Sequence, residues 1–256
     1  MSAQLTYAAV TCGSIITTNT TLTGNLICTT STGLTIGANG ITLDCAGYSI
    51  TGPGGGPGVG MVLTSLTKVT VENCVVNSWY EGFEFSSSSS NKLTGNTASH
   101  NTQAGFAFVS SSGNILTGNT ATNNADGFLF IGSSSNKLTG NTADDCVENG
   151  FHFFSSSKNI LIGNTANGNS VGFNFIGSSS NNLTLNTAKS NEGDGFKLDA
   201  ASFGNTLTVS GAISNQGYGY HDLSSGSGSD GTANTYRADW AVGNKLGTSQ
   251  PPGLAI

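Results

Sequence analysis

The chain reads as an all-β protein, a right-handed parallel β-helix solenoid of about nine or ten coils. Three observations carry that reading. First, Asn91, Asn114, Asn136, Asn159 and Asn181 each open a near-identical segment, spaced by 23, 22, 23 and 22 residues. A fixed period in this range marks a solenoid, in which one coil can bury its apolar side only against its neighbours. Second, each segment ends in Gly-Phe-x-Phe, at Phe83/Phe85, Phe106/Phe108, Phe128/Phe130, Phe151/Phe153 and Phe173/Phe175, with Phe196/Leu198 closing the run. Eleven of the 13 Phe stand in these two columns, and alternation at a period of two is a strand signal with the rings turned inward. Third, the strands are separated by Ser, Asn, Thr and Gly clusters that favour bends. Identical residues stacked coil on coil gain from it, through amide ladders and piled rings, as in cross-β packing. The connection between parallel strands fixes the right-handed sense.

The elements follow in order along a single domain, 1–256. Residues 1–35 form an N-terminal cap and first coil, 36–223 the regular coils, and 224–256 a loop, the last coil and a C-terminal cap. Within the regular part, Leu93, Leu116, Leu138, Leu161 and Leu183 make an inward column. Asn96, Asn119, Asn141, Asn164 and Asn186 make a ladder, and Ala98, Ala121, Ala143, Ala166 and Ala188 a small-residue column. Backward, Val69, Glu72, Cys74 and Asn77 align with Leu93, Asn96, Ala98 and Asn101 at a step of 24, and Ile41, Asp44 and Ala46 align one coil earlier. Forward, Leu207, Ala212 and Asn215 continue the pattern, then Tyr236, Asp239, Ala241 and Asn244 after a longer step of 29. Loops 52–60 and 224–232 absorb the extra residues. The coil at 217–222 has two possible registers, with either Gly217-Tyr218-Gly219-Tyr220 or Gly219-Tyr220-His221-Asp222 in the place of Gly-Phe-x-Phe.

Composition limits the partners. Only 9% of residues are charged and the formal charge is -6, so no basic stripe offers itself to a phosphate backbone, and nucleic acid is excluded as an expected partner. No run of 18 apolar residues could span a membrane as a helix. Residues 1–11 lack a basic segment followed by an apolar one, so no signal peptide is visible. Cysteine usage points to an oxidising, extracellular or periplasmic compartment. Cys12 and Cys28 are expected to bridge within the cap; Cys45 and Cys74 are either bridged or buried thiols; Cys146 replaces a ladder Asn and is expected to be free. No Cys/His spacing fits a metal site and no cofactor is implied.

Cys12-Gly13 with Thr21-Leu22-Thr23 and Cys28, Ile41-Thr42-Leu43-Asp44 with Gly47, the Asn-x-Leu-Thr-Gly-Asn coils, and Ser249-Gln250-Pro251-Pro252-Gly253-Leu254 together resemble secreted right-handed parallel β-helix proteins. That group includes the NosD-like periplasmic proteins and the carbohydrate-binding and sugar-hydrolase domains. The resemblance covers nearly the whole chain and implies the fold. For chemistry it implies only a range, from polysaccharide lyases and epimerases to members without known activity. Copper handling in the NosD manner is disfavoured, because the chain has three His and two Met and soft copper sites want more of both.

Function is sought where the outward columns carry reactive side chains. The x of Gly-Phe-x-Phe runs Glu84, Ala107, Leu129, His152, Asn174, Lys197. The position before the Gly runs Glu81, Ala104, Asp126, Asn149, Val171, Asp194, and the position after the second aromatic runs Ser86, Val109, Ile131, Phe154, Ile176, Asp199. In either register His221 falls within one or two strand spacings, about 5 to 10 Å, of Lys197 and Asp199. His152, Lys197, Tyr218 and His221 are therefore the candidate catalytic residues, and Asn174, Asp194, Asp199 and Phe154 the candidate substrate contacts. Such a set suits proton abstraction beside a uronate carboxylate. Lys197 would neutralise the carboxylate, His221 take the C5 proton and Tyr218 donate to the leaving oxygen. The expected partner is a carbohydrate polymer, processed in the manner of a uronate lyase or epimerase. The alternative is a non-catalytic surface or self-assembling protein that uses the apolar stripe Val109, Ile131, Phe154 and Ile176.

Overall fold

The computed structural model describes residues 10–255; the first nine residues of the expected cap and Ile256 lie outside that range. The chain winds as a parallel β-helix. An 11-stranded sheet carries the longest strands, such as Ala104–Val109 and Asp126–Ile131, and two 10-stranded sheets complete each coil with strands such as Ile115–Thr117 and Thr120–Thr122. Every pairing is parallel and joins a strand to its equivalent in the next coil, one sheet at a time. Among the described residues ten three-strand coils are followed by a closing strand, Gly247–Gln250. The one helical element among the described residues is a single 3-10 turn at Ser229–Gly231 in the loop expected over 224–232.

The Phe columns fill the interior as two continuous stacks. Neighbouring rings from Phe83 to Phe196, and on to Tyr220, lie 4.7 to 4.9 Å apart and nearly parallel. A second stack runs from Phe85 to Phe175. The ring spacing equals the strand spacing, so each ring stacks directly on the next. The glycine of the motif has a steric cause. A Cβ on Gly127 would lie 2.6 Å from the Gly150 carbonyl oxygen and 2.8 Å from the Ala143 Cβ. The long-strand sheet can approach the Ala column of the third sheet only where no side chain intervenes.

Three buried Asn ladders line the bends. Asn119 is typical: its Oδ1 accepts from the Asn96 backbone N–H and amide at 3.0 Å each, while its own amide donates to the Leu93 carbonyl at 3.1 Å and to Asn141 Oδ1 at 3.0 Å. Each amide thus satisfies backbone groups that the bend removes from the sheets. A fourth ladder lies in the serine runs. Ser88, Ser111, Ser133, Ser156, Ser178 and Ser202 are buried, and each hydroxyl bonds the carbonyl of the preceding coil's second aromatic-column residue, as Ser133 does to Phe108 at 2.9 Å.

One expectation needs correction, and one open register is decided. Coil 69–77 steps by 22 and not 24: Val71 pairs with Leu93 and Val76 with Ala98, which moves Cys74 to the ladder position beside Asn96. There it bridges Cys45 of the preceding coil. The register at 217–222 is the second alternative, with Phe196 opposite Tyr220, Lys197 opposite His221 and Leu198 opposite Asp222. Cys12 and Cys28 are bridged, and Cys146 is free and buried, with its thiol pushed up to about 11 chiefly by burial.

Candidate functional site

The outward face of the long-strand sheet carries the expected columns in continuous register. Leu129, His152, Asn174, Lys197 and His221 are successive cross-strand partners, so His152 and His221 stand three coils apart, about 14 Å, with Asn174 and Lys197 between them. Beside this polar strip runs the apolar one. Val109, Ile131, Phe154 and Ile176 pair in order, with Ile131 37% and Phe154 45% exposed.

Each outward His is held by an Asp from the pre-glycine position of the coil before. His152 Nδ1 lies 3.1 Å from Asp126 Oδ2, and His221 Nδ1 lies 2.7 Å from Asp194 Oδ2. The second carboxylate oxygen is used the same way in both places: Asp126 Oδ1 accepts the Asn149 backbone N–H at 3.1 Å, and Asp194 Oδ1 accepts that of Tyr218 at 2.8 Å. These are the two carboxylate–imidazole contacts among the described residues. Sequence reasoning named Asp194 as a substrate contact and passed over Asp126 as a partner of His152. The signal was present as a diagonal offset, Asp to His over 26 or 27 residues, one coil plus three positions.

The two pairs differ in their surroundings. Asp126 also accepts from the Asn149 amide at 2.8 Å, Asn149 accepts from Asn174 at 3.0 Å, and His152 Nε2 is enclosed without a partner. His221 instead has Lys197 beside it in register and the Tyr218 ring 5.2 Å away. Lys197, Tyr218 and His221 are therefore together, on the ninth and tenth coils. Asn174 is committed to Asn149. Asp199 lies at the neighbouring bend, where one oxygen accepts from the Gly177 and Ala201 backbone N–H groups and from the Ser202 hydroxyl; this oxygen caps a turn. At the far end of the same face, burial and then the nearby Glu84 charge push the Glu81 carboxyl up to about 7.

No curated protein matches the chain. Among solved structures it is similar to the catalytic domain of a GH87 alpha-1,3-glucanase in complex with tetrasaccharides, at 13% identity and a TM-score of 0.63, over 95% of this chain and 61% of that one. It is also similar to the mannuronan C-5 epimerase AlgE4 A-module of Azotobacter vinelandii, at 14% identity and a TM-score of 0.53, over 94% of this chain and 78% of that one. A third likeness is to ORF18 of Geobacillus virus E2, at 10% identity and a TM-score of 0.52, over 90% of this chain and 52% of that one. At such identities the likeness is one of fold. The chain spans about three fifths of the glucanase domain's length.

A periplasmic copper-binding protein model (NosD) matches residues 149–239. The donors in that segment do not fit copper, because His152 and His221 are three coils apart and each is bound to a carboxylate. Among the described residues no three His, Cys, Asp or Glu converge on one point, and no helix is long and apolar enough to cross a membrane. The model for the right-handed beta helix region matches residues 17–188, more than half of the sequence and the span that holds most of the Phe stacks and Asn ladders, so the chain belongs to the right-handed β-helix family.

Proposed function

We propose that the protein binds an acidic polysaccharide along the long-strand face and acts on it by abstracting the proton at C5 of a uronate. The observation that supports this best is the register of Lys197 with His221, with Asp194 bonded to the imidazole and Tyr218 beside it. Lys197 would neutralise the substrate carboxylate, which otherwise resists carbanion formation at the adjacent carbon. His221 would take the C5 proton. In elimination the C4–O bond then breaks, a C4–C5 double bond forms, and Tyr218 protonates the departing oxygen; in epimerisation a proton returns to C5 from the opposite face. Phe154 and Ile131 would receive the apolar faces of neighbouring sugar rings. The two disulfides and the NosD match support an extracellular or periplasmic location. The test is turnover of alginate and polygalacturonate, followed by absorbance of the unsaturated product and by NMR of C5 configuration. Wild type is expected to turn over one of them and Lys197→Ala to lose at least about a hundredfold. No turnover of any polyuronate by wild type contradicts the reading.

A second reading rests on the uninterrupted stripe Val109, Ile131, Phe154, Ile176. Four apolar side chains in register on an outward face also suit contact with a second copy of the chain.

A further inference from the structure

We infer that Asp194 is a positioning residue that locks His221 with its proton on Nδ1, and so presents a bare Nε2 as the proton acceptor of the site. A carboxylate oxygen can only accept, so the 2.7 Å contact places a proton on Nδ1. In the neutral ring Nε2 then carries the lone pair. The same face holds an independent copy of the device. Asp126 and His152 occupy the same two columns three coils earlier, with the same division of carboxylate oxygens between a backbone N–H and an imidazole. What separates the copies is access. The two imidazoles are similarly exposed overall, at 18% and 22%, but the His152 Nε2 atom is enclosed and unpartnered, whereas the same enclosure is not found at the His221 Nε2. The structure therefore assigns the acceptor role to His221 and leaves His152 as the closed copy, which the sequence columns alone could not distinguish. Asp194, with its two oxygens committed to Tyr218 and His221, acts through the imidazole.

This deepens the proton-abstraction reading but is testable without any sugar. Long-range proton–nitrogen NMR of the imidazole side chains reports tautomers directly, and the chain has only His100, His152 and His221 to assign. At a pH where the rings are neutral, wild type is expected to show His152 and His221 with the proton on Nδ1. In Asp194→Asn the amide oxygen must stay on the Tyr218 N–H, which turns the amide NH2 towards His221 Nδ1 and forces that ring to carry its proton on Nε2. His152 should keep its wild-type signature in that variant, which shows that the fold is intact. Asp126→Asn should give the mirror result, moving His152 and not His221. Carbethoxylation of wild type, read by peptide mass, should modify His221 before His152. His221 found with its proton on Nε2 in wild type, or unmoved in Asp194→Asn while His152 is unchanged, overturns the inference. So does faster modification of His152. Absence of polyuronate turnover contradicts the function proposed above and leaves this result standing, because no substrate enters the experiment.

Discussion

The coils between Asn91 and Asn191 and the coils after Asp194 share the same columns yet are built differently. In the earlier stretch the interior is nearly uniform: Phe over Phe, Leu over Leu, Ala over Ala, with Asn at the bends save for Cys146. In the later stretch the interior turns polar. Asp222 occupies the second aromatic column and is buried, bonded to the Ser224 backbone and hydroxyl, the Asn234 amide and the Tyr236 hydroxyl. Ser210 and Asp239 take over the middle Asn ladder, and burial pushes the Asp239 carboxyl up to about 6. Tyr236 is raised well above its ordinary value, first by burial and then by the Asp222 charge. The outward face changes in the same coils, where Lys197, Tyr218 and His221 gather. A ladder or stack demands the same residue on both sides, so a mid-solenoid position is constrained by two neighbours. Near the end of the solenoid, and on outward positions everywhere, that constraint relaxes and reactive groups can be accommodated.

The largest expected effect comes from breaking uniformity inside. Phe128→Ala removes a ring from the middle of a stack and should cost about 3 to 5 kcal/mol in chemical denaturation. A loss below about 1 kcal/mol would mean that the stack can collapse around the gap.

The ladders come next. Asn119→Ala strands the Asn96 N–H and amide and the Leu93 carbonyl, for a cost of about 1 to 3 kcal/mol. Thr117→Ala, two residues away on an exposed outward position, should stay within about 0.5 kcal/mol. Equal melting shifts in the two variants would contradict a ladder held by mutual satisfaction.

The smallest effect lies on the outer face. Glu81 is raised from 4.5 to about 7 in the folded chain, so the folded state holds its proton when the unfolded chain has lost it. Its favourable contribution is complete below about pH 4.5 and declines as pH rises to about 7. Melting temperature in Glu81→Gln should therefore fall less than in wild type across that window, and parallel curves would show that Glu81 is solvated.

Most of this architecture was legible in the sequence because it rests on period. Phe128 and Phe130 announce a strand by alternation, and Asn119 announces a ladder by recurring every 22 or 23 residues. What escaped was set by three-dimensional offsets. Ser133 looks like any turn serine until its hydroxyl is seen bonding the coil before. The slip of two residues in coil 69–77 came from trading Val71 and Val76 for Val69 and Cys74 as the inward pair. It set Cys74 in the Ala column and left the Cys45–Cys74 pair open between a bridge and buried thiols, whereas the structure bridges them. Lys197 and His221 were placed together by column reading, whereas the Asp–His pairs cross columns diagonally, an offset that reading down single columns does not show.

The central claim is that the reactive cluster of the last coils does the chemistry and that the apolar stripe of the middle ones holds sugar rings and not a second copy of the chain. Two double variants test it most directly, Lys197→Ala with His221→Ala and Ile131→Ser with Phe154→Ser, each assayed for polyuronate turnover, oligomeric state and melting temperature. The account predicts that the first pair abolishes turnover with the melting temperature nearly unchanged, while the second weakens substrate binding and leaves the chain's association state as in wild type. Loss of self-association in the stripe variant, with no turnover by wild type on any polyuronate, would contradict it.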